Sequence, residues 1–153
     1  MTFTTAHFGR ITVDPAAVVE FPEGLPGFEQ CRRFLPLNHP AADGLVFLQS
    51  LESPGLCFLA VPVQTLRADY RIAMTAEDLD LLRLPEDRPP ALGREVNALA
   101  ILSLVEGQPP TANLRSPVVI HAATRRAVQA IRPDERYGCR EPLVVEKTEA
   151  LCW

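Results

Sequence analysis

The chain has 153 residues, 47% of them hydrophobic and 22% charged, which places it with ordinary globular domains and outside the low-hydrophobicity regime of disordered chains. Its net charge of −4 and pI near 5.4 argue against direct nucleic-acid binding, which calls for a basic face. No apolar stretch nears the roughly 18 residues of a membrane span, and Met1-Thr2-Phe3-Thr4 lacks the basic-then-apolar order of a signal peptide, so a cytoplasmic location away from membranes is the expectation.

Phe8 to Val13 alternates apolar and polar until Asp14-Pro15 breaks it, and Val18 to Phe21 resumes an extended run, which predicts a first hairpin between the two. Pro22 to Phe28 is too rich in proline and glycine to be regular. Within it, Gly24-Leu25-Pro26-Gly27 has the outline of a phosphate cradle, but Pro26 offers no amide hydrogen and no lysine follows. As a Gly-x-x-Gly clamp for nucleic-acid backbone it is flanked by Glu23 and Glu29, the wrong charge. It reads as a structural turn carrying two large apolar groups, Leu25 and Phe28, that either close a core or anchor a partner. The inward reading is the expectation.

Leu45 to Leu51 and Leu56 to Val61 are apolar runs of strand length joined by Glu52-Ser53-Pro54-Gly55, a hairpin turn signal. Cys57 in the second run is the clearest core cysteine. Thr75 to Leu82 carries the one good helix signal: Thr75 can cap it, Glu77 and Asp78 sit in its first turn, and Pro85 stops it. Pro85 to Glu95 is the longest polar, proline-rich connection and the expected mobile loop. Val96 to Val105 is a third apolar run, and Thr111 to Leu114, Val118 to Ala122 and Val128 to Ile131 are shorter ones. Arg125-Arg126, Arg132, Arg136 and Arg140 concentrate positive charge and read as solvated strand ends. The tail after Pro142 is expected to extend or fray.

Strands at this density, with one or two short helices and no βαβ rhythm, predict a mainly β single domain, 1–153, built as a strongly bent antiparallel sheet or small β-barrel-like fold. Fifteen prolines suit many short elements, and a chain of this length buries about 70% of its unfolded surface, enough for an unstapled core.

Chemistry-bearing patterns are sparse. Cys31, Cys57, Cys139 and Cys152 form no Cys-x-x-Cys pair, so no zinc is expected. No Gly-x-Ser-x-Gly elbow is present, and His7, His39 and His121 show no signal for an oriented partner, so neither catalysis nor a cofactor is expected. His121, ending an apolar run, reads as a satisfied strand-end residue.

The order of segments resembles the FliW family of flagellar assembly factors over nearly the whole chain. The resemblance rests on Phe8-Gly9 with Ile11 and Val13; Phe21-Pro22-Glu23-Gly24-Leu25-Pro26-Gly27-Phe28; Arg33-Phe34; and Phe47-Leu48-Gln49-Ser50. Pro54, Phe58, Pro62 and Tyr70 continue it, then Ala112-Asn113-Leu114, Ser116-Pro117-Val118-Val119-Ile120, and Arg126 with Gln129. Two positions depart from the family pattern: His121 stands where asparagine is usual and Ala127 where glycine is usual.

The resemblance implies a non-catalytic protein that binds flagellin and also binds and antagonises the RNA-binding translational repressor CsrA, coupling flagellin level to its translation. On this reading the candidate partner-binding residues are Leu25 and Phe28 in the loop, Asp80 and Glu86 in the acidic stretches, Asn113, Arg126 and Gln129 among the matching positions, and His121 in the place of the usual asparagine. Net negative charge suits an antagonist of a basic protein, because opposite charge speeds encounter. The competing reading is a small β-barrel enzyme or ligand-binding protein with an interior pocket lined by convergent polar groups.

Overall fold

The computed structural model describes residues 2–38 and 44–143. Antiparallel strands dominate it. β1 (Thr2–Thr5) and β2 (Gly9–Thr12) form a two-stranded sheet, and a larger sheet runs in the order β10-β9-β7-β6-β5-β4-β3. Its members are β3 (Val19–Glu20), β4 (Arg33–Leu37), β5 (Val46–Ser50), β6 (Cys57–Pro62), β7 (Val96–Ser103), β9 (Val118–His121) and β10 (Ala127–Gln129), with β8 (Thr111–Ala112) and β11 (Glu141–Pro142) attached at the far end of β7.

The first hairpin differs from the expected one. Phe8 to Val13 does contain a strand, but its partner is β1, in register Thr2↔Thr12 to Thr5↔Gly9, while Val19 and Glu20 pair instead with Phe34 and Arg33. Asp14 explains the separation: its carboxylate accepts from Ala16 N at 3.0 Å and caps a 3-10 turn, Pro15–Ala17, that turns the chain away. The hairpin then lies over β5, with Phe8 meeting Phe47 edge-on at 5.2 Å and Ala6 N donating to Pro54 O.

The β5–β6 turn occupies the predicted Glu52–Gly55. Ser50 Oγ accepts from the amides of Glu52 and Ser53. Gln49, fully buried, reaches Ser50 O, Pro54 O and Leu56 O with its side-chain nitrogen at 3.0 to 3.2 Å. A carboxylate finishes the arrangement: Glu52 accepts from the backbone of Arg32 and Arg33 and from Arg33 Nε.

β7 is the spine of the large sheet. Its first half pairs with β9 (Val96↔His121 to Leu99↔Val118), and its last two residues pair with β8 (Leu102↔Ala112, Ser103↔Thr111). That split bends the sheet so that both faces bury apolar residues, which is why its strands read as continuous apolar runs. Val96, Ala98, Ala100 and Leu102 face one core with Val61, Leu114 and Tyr70. Leu99, Val118 and Ile120 face the other with Phe21, Phe34 and Leu48. The sheet is not closed into a barrel; a parallel bridge, Glu20 to Arg126, touches its terminal strands together without making a ladder. Leu104 and Val105, counted with the third apolar run, lie past the pairing and are exposed.

Two helices cover the first core. α1 (Val63–Leu66) is a single turn burying Val63 and Leu66, too short to leave a periodic signal. α2 (Ala76–Leu81) starts where predicted, with Thr75 Oγ1 accepting from Asp78 N. It stops before Pro85 acts: Arg83 takes φ 60°, Arg83 N donates to Asp80 O and Leu84 N to Leu79 O, a Schellman ending with arginine in the position glycine usually holds. The Pro85–Glu95 connection is tied by Arg88, whose guanidinium grips both oxygens of Glu95 at 2.6 and 2.8 Å, while Ala91 N donates to the same carboxylate.

Three further expectations are corrected. Arg132 is no solvated strand end: 3% exposed, it stacks on Tyr137 and Tyr70 at 4.8 and 5.5 Å, donates to Arg71 O at 2.6 Å, and pairs with Asp134. The two stacked tyrosines supply an apolar, electron-rich slot that takes the cation out of water. Cys57 is only half-buried, since β7 pairs with Ala60–Pro62 and leaves the first half of β6 unpaired on that side, and among the described residues Cys31 is the buried cysteine. Val128–Ile131 overshoots: the strand ends at Gln129 and Ile131 is exposed. The tail and His39 lie outside the described residues from 144 on and at 39–43.

Candidate functional site: a groove beside the proline-glycine loop

Two tight turns shape the loop after β3. Phe21 O accepts from Gly24 N, and Gly24 takes φ 72° with no room for a side chain: a Cβ there would sit 2.6 Å from the Glu29 backbone. Leu25-Pro26-Gly27-Phe28 follows as a second turn closed by Phe28 N donating to Leu25 O at 2.7 Å. Proline at its second position and glycine at φ 86° in its third are the residues a type II turn requires.

The turn splits the fates of its two apolar residues. Leu25, 2% exposed, fills the space beneath it against the second core. Phe28, expected to turn inward too, is 40% exposed. Leu25 already occupies the core end of the turn, so Phe28 sits at the rim, its ring meeting the edge of Phe58 at 5.4 Å and 81°.

That rim borders an open concavity of about 320 Å³ lined by Leu25, Pro26, Phe28, Phe58, Ile101, Ser103, Asn113, Gln129, Cys139 and Arg140. Four of the sequence candidates therefore meet in one place: Leu25, Phe28, Asn113 and Gln129. The last two are held in position by backbone, Asn113 Oδ1 accepting from Ser116 N at 2.9 Å and Gln129 Nε2 donating to Ser116 O at 3.0 Å. Their remaining amide atoms, a donor on Asn113 and an acceptor on Gln129, have no partner among the described residues. A donor and an acceptor beside aromatic and aliphatic walls match an extended or helical peptide that brings both backbone polarity and apolar side chains.

Pro26 and Gln129 also form one wall of a neighbouring hollow of about 270 Å³ that holds Glu23, Glu29 and Asp78. Burial pushes the Asp78 carboxyl above its ordinary value, and the nearby Glu77 and Glu23 add to the effect. The groove thus has an apolar half with Arg140 at its edge and an acidic flank.

The other candidates lie elsewhere. His121 and Arg126 serve the fold: His121 Nδ1 lies 2.7 Å from Leu82 O, and Arg126 Nε donates to Leu81 O at 2.6 Å. Both thus sit against carbonyls at the end of α2, where the guanidinium of Arg126 is a favoured donor. Asp80 is exposed on α2, and Glu86 borders a shallow hollow with Ile72, Met74 and Arg88, away from the groove.

Sequence reasoning missed Phe58, Ile101, Cys139 and Arg140. Phe58 and Ile101 sit in strands apolar on both faces, where no alternation marks a rim position. Cys139 and Arg140 arrive through β11, a two-residue strand set by pairing with β8 at Glu141↔Ala112. Among the described residues no group of three His, Cys, Asp or Glu side chains suits a metal ion, and no helix is long and apolar enough to cross a membrane.

Comparison with known proteins agrees with this architecture. The sequence profile of the FliW protein family matches residues 2–143. The chain is 32% identical over 143 residues to the flagellar assembly factor FliW of Carboxydothermus hydrogenoformans, covering 93% of this chain and 88% of that protein. It is 29% identical over 155 aligned positions to that of Caldanaerobacter subterraneus, covering 98% and 97%. A crystal structure of the flagellar assembly factor FliW superposes with a TM-score of 0.79 at 27% identity, covering 96% of this chain and 99% of that one. With the profile spanning nearly every described residue and the fold matched end to end, the chain belongs to the FliW family.

Proposed function

We propose that the protein is a non-catalytic, cytoplasmic partner-binding factor that takes flagellin in the groove beside the proline-glycine loop, and that it also binds and antagonises CsrA. The observation that carries the first part is Phe28: a large aromatic held half-exposed on a rigid turn, beside Phe58, Ile101 and two backbone-fixed amide side chains, has the make-up of an interface anchor. Family membership supports a flagellar role, as does the name shared by its relatives. The two packed cores argue for the same reading over an interior-pocket enzyme, because the concavity that gathers the candidate residues opens at the surface.

For CsrA the support is charge. Glu23, Glu29 and Asp78 flank the groove, and Asp80 and Glu86 add exposed negative charge on α2 and on the connection after it, so a basic RNA-binding protein would be attracted to the acidic surface these residues make. Binding would link the two partners: protein held by flagellin leaves CsrA free to repress, and protein freed by flagellin export removes it.

Mixing the purified protein with monomeric flagellin and separating by size exclusion tests the first claim. Co-elution at micromolar concentrations is expected, and separate elution would contradict it. Surface plasmon resonance with CsrA across a salt series tests the second. Charge reversal at Asp80 and Glu86 is expected to lower the on-rate and flatten its salt dependence, since screening shortens the reach of charge from about 10 Å at 0.1 M to about 3 Å at 1 M. An unchanged on-rate and slope would remove these acids from the mechanism.

A further inference from the structure

Four arginines of this acidic chain gather around one hollow. Arg33 at the start of β4, Arg83 just beyond α2, and Arg125 and Arg126 in the β9–β10 turn line a concavity of about 490 Å³ with Thr124 and Glu20. It shares no lining residue with the groove.

The fold forces this convergence. Glu20 N donates to Arg125 O at 2.9 Å, pulling the turn against β3, and Arg125 Nη2 donates to Ala17 O at 2.7 Å. Arg126 Nε ties the same turn to Leu81 O, which brings the end of α2 and Arg83 alongside. Arg83 and Arg125 both adopt φ 60°, a conformation that L side chains disfavour, and both residues line the hollow.

These charges are poorly compensated. Among the described residues Arg83, Arg125 and Arg126 enter no salt bridge, and Arg33 has one, to Glu52 through Nε. Arg125 Nε is buried with no hydrogen-bond partner. Glu20, on the wall of the hollow, pairs with none of the four. Like charges gathered around one hollow are relieved when an anion enters, and guanidinium forks fit the two oxygens of a carboxylate.

We propose that this hollow is an oxyanion site that takes carboxylate side chains from an acidic peptide segment of a protein partner. A peptide suits it better than RNA does. RNA affinity accumulates over many phosphates along a basic track, whereas this positive spot is small and ringed by acids: Asp14 beside Pro15, Glu20, Glu52 on Arg33, and Asp80 on the helix before Arg83. Pro15 and Val18 add the apolar wall a peptide can use.

Fluorescence anisotropy with a labelled tetraglutamate peptide at low salt tests this on the full-length protein. Saturable binding is expected, weakened about 3- to 10-fold by Arg83→Asn, which keeps a residue tolerant of the left-handed backbone and removes one charged contact. Arg10→Gln, on β2 and not among the residues that line the hollow, is expected to change nothing, and co-elution with flagellin is expected to survive Arg83→Asn. Absence of saturable peptide binding, or equal loss with Arg10→Gln, would overturn the site. A short RNA bound as tightly and with the same Arg83 dependence would overturn the peptide assignment, as would inorganic phosphate displacing the peptide at equal concentration.

Discussion

Replacing Phe28 with alanine separates an anchor from a core residue. A Phe→Ala change in a sealed core costs about 3–5 kcal/mol, but Phe28 is 40% exposed and its loss opens towards solvent, leaving no sealed cavity behind. Its main contact is one edge-on ring pair with Phe58, worth about 0.5–1.5 kcal/mol beyond area burial. The expected destabilisation is therefore about 1–2 kcal/mol, or about 2–8 °C in melting temperature for a domain of this size. Leu25→Ala, at a fully buried position under the same turn, is expected to cost about 2–5 kcal/mol. Partner affinity should rank them the other way. Removing a central aromatic anchor is expected to weaken flagellin binding by at least ~2 kcal/mol, roughly 30-fold, measured by titration calorimetry on protein shown folded by circular dichroism. If Phe28→Ala melts as early as Leu25→Ala and the surviving folded protein binds flagellin with unchanged affinity, the ring belongs to the core and the anchor argument fails.

Arg132→Leu removes donors to Arg71 O, Tyr70 Oη and Asp134 and is expected to cost about 2–4 kcal/mol in chemical denaturation; Arg132→Lys should recover less than half, since it lacks the planar fork that stacks on Tyr137. A loss under ~0.5 kcal/mol would show that the slot contributes little. Gly24→Ala meets both a positive φ and the Glu29 backbone at 2.6 Å, so a loss of more than ~2 kcal/mol is expected, and a stable variant would mean the loop can rearrange. Glu95 is held down to about 2 by the Arg88 guanidinium and the Ala91 amide, below its ordinary unfolded value of about 4.3. Its stabilisation is therefore present above about pH 4.3 and lost as pH falls towards 2, and Glu95→Gln should flatten the acid limb of a stability–pH curve over that window.

Much of the fold was legible because its signals are local. Thr75 with two acids behind it marked α2, Glu52-Ser53-Pro54-Gly55 marked the β5–β6 turn, and runs apolar on both faces marked the strands of a sheet buried on both sides. What escaped depends on distant partners. β1 and β11 are four and two residues long and exist through pairing with β2 and β8. The first hairpin was assigned the wrong partner because alternation fixes which face a strand buries and not which strand lies beside it. Arg132 looked solvated because Tyr70, which shelters it, is far away in sequence.

The groove was half legible. The loop, Asn113 and Gln129 emerged from the order of family residues, and the turn chemistry of Pro26 and Gly27 gave their local form. Which of Leu25 and Phe28 points inward depends on how the sheet bends beneath the turn, which neither residue encodes alone. Arg126 belongs to the same family pattern and His121 stands where that pattern has asparagine, yet both side chains are committed to the carbonyls that end α2.

The most direct test of the central claim is to map where flagellin lands, by amide NMR titration of the labelled protein with monomeric flagellin. The account predicts shifts or broadening at Leu25, Gly27, Phe28, Phe58, Asn113 and Gln129, with the first hairpin from Thr2 to Thr12 unperturbed. Perturbations centred on that hairpin, with the groove amides unmoved at saturation, would contradict it.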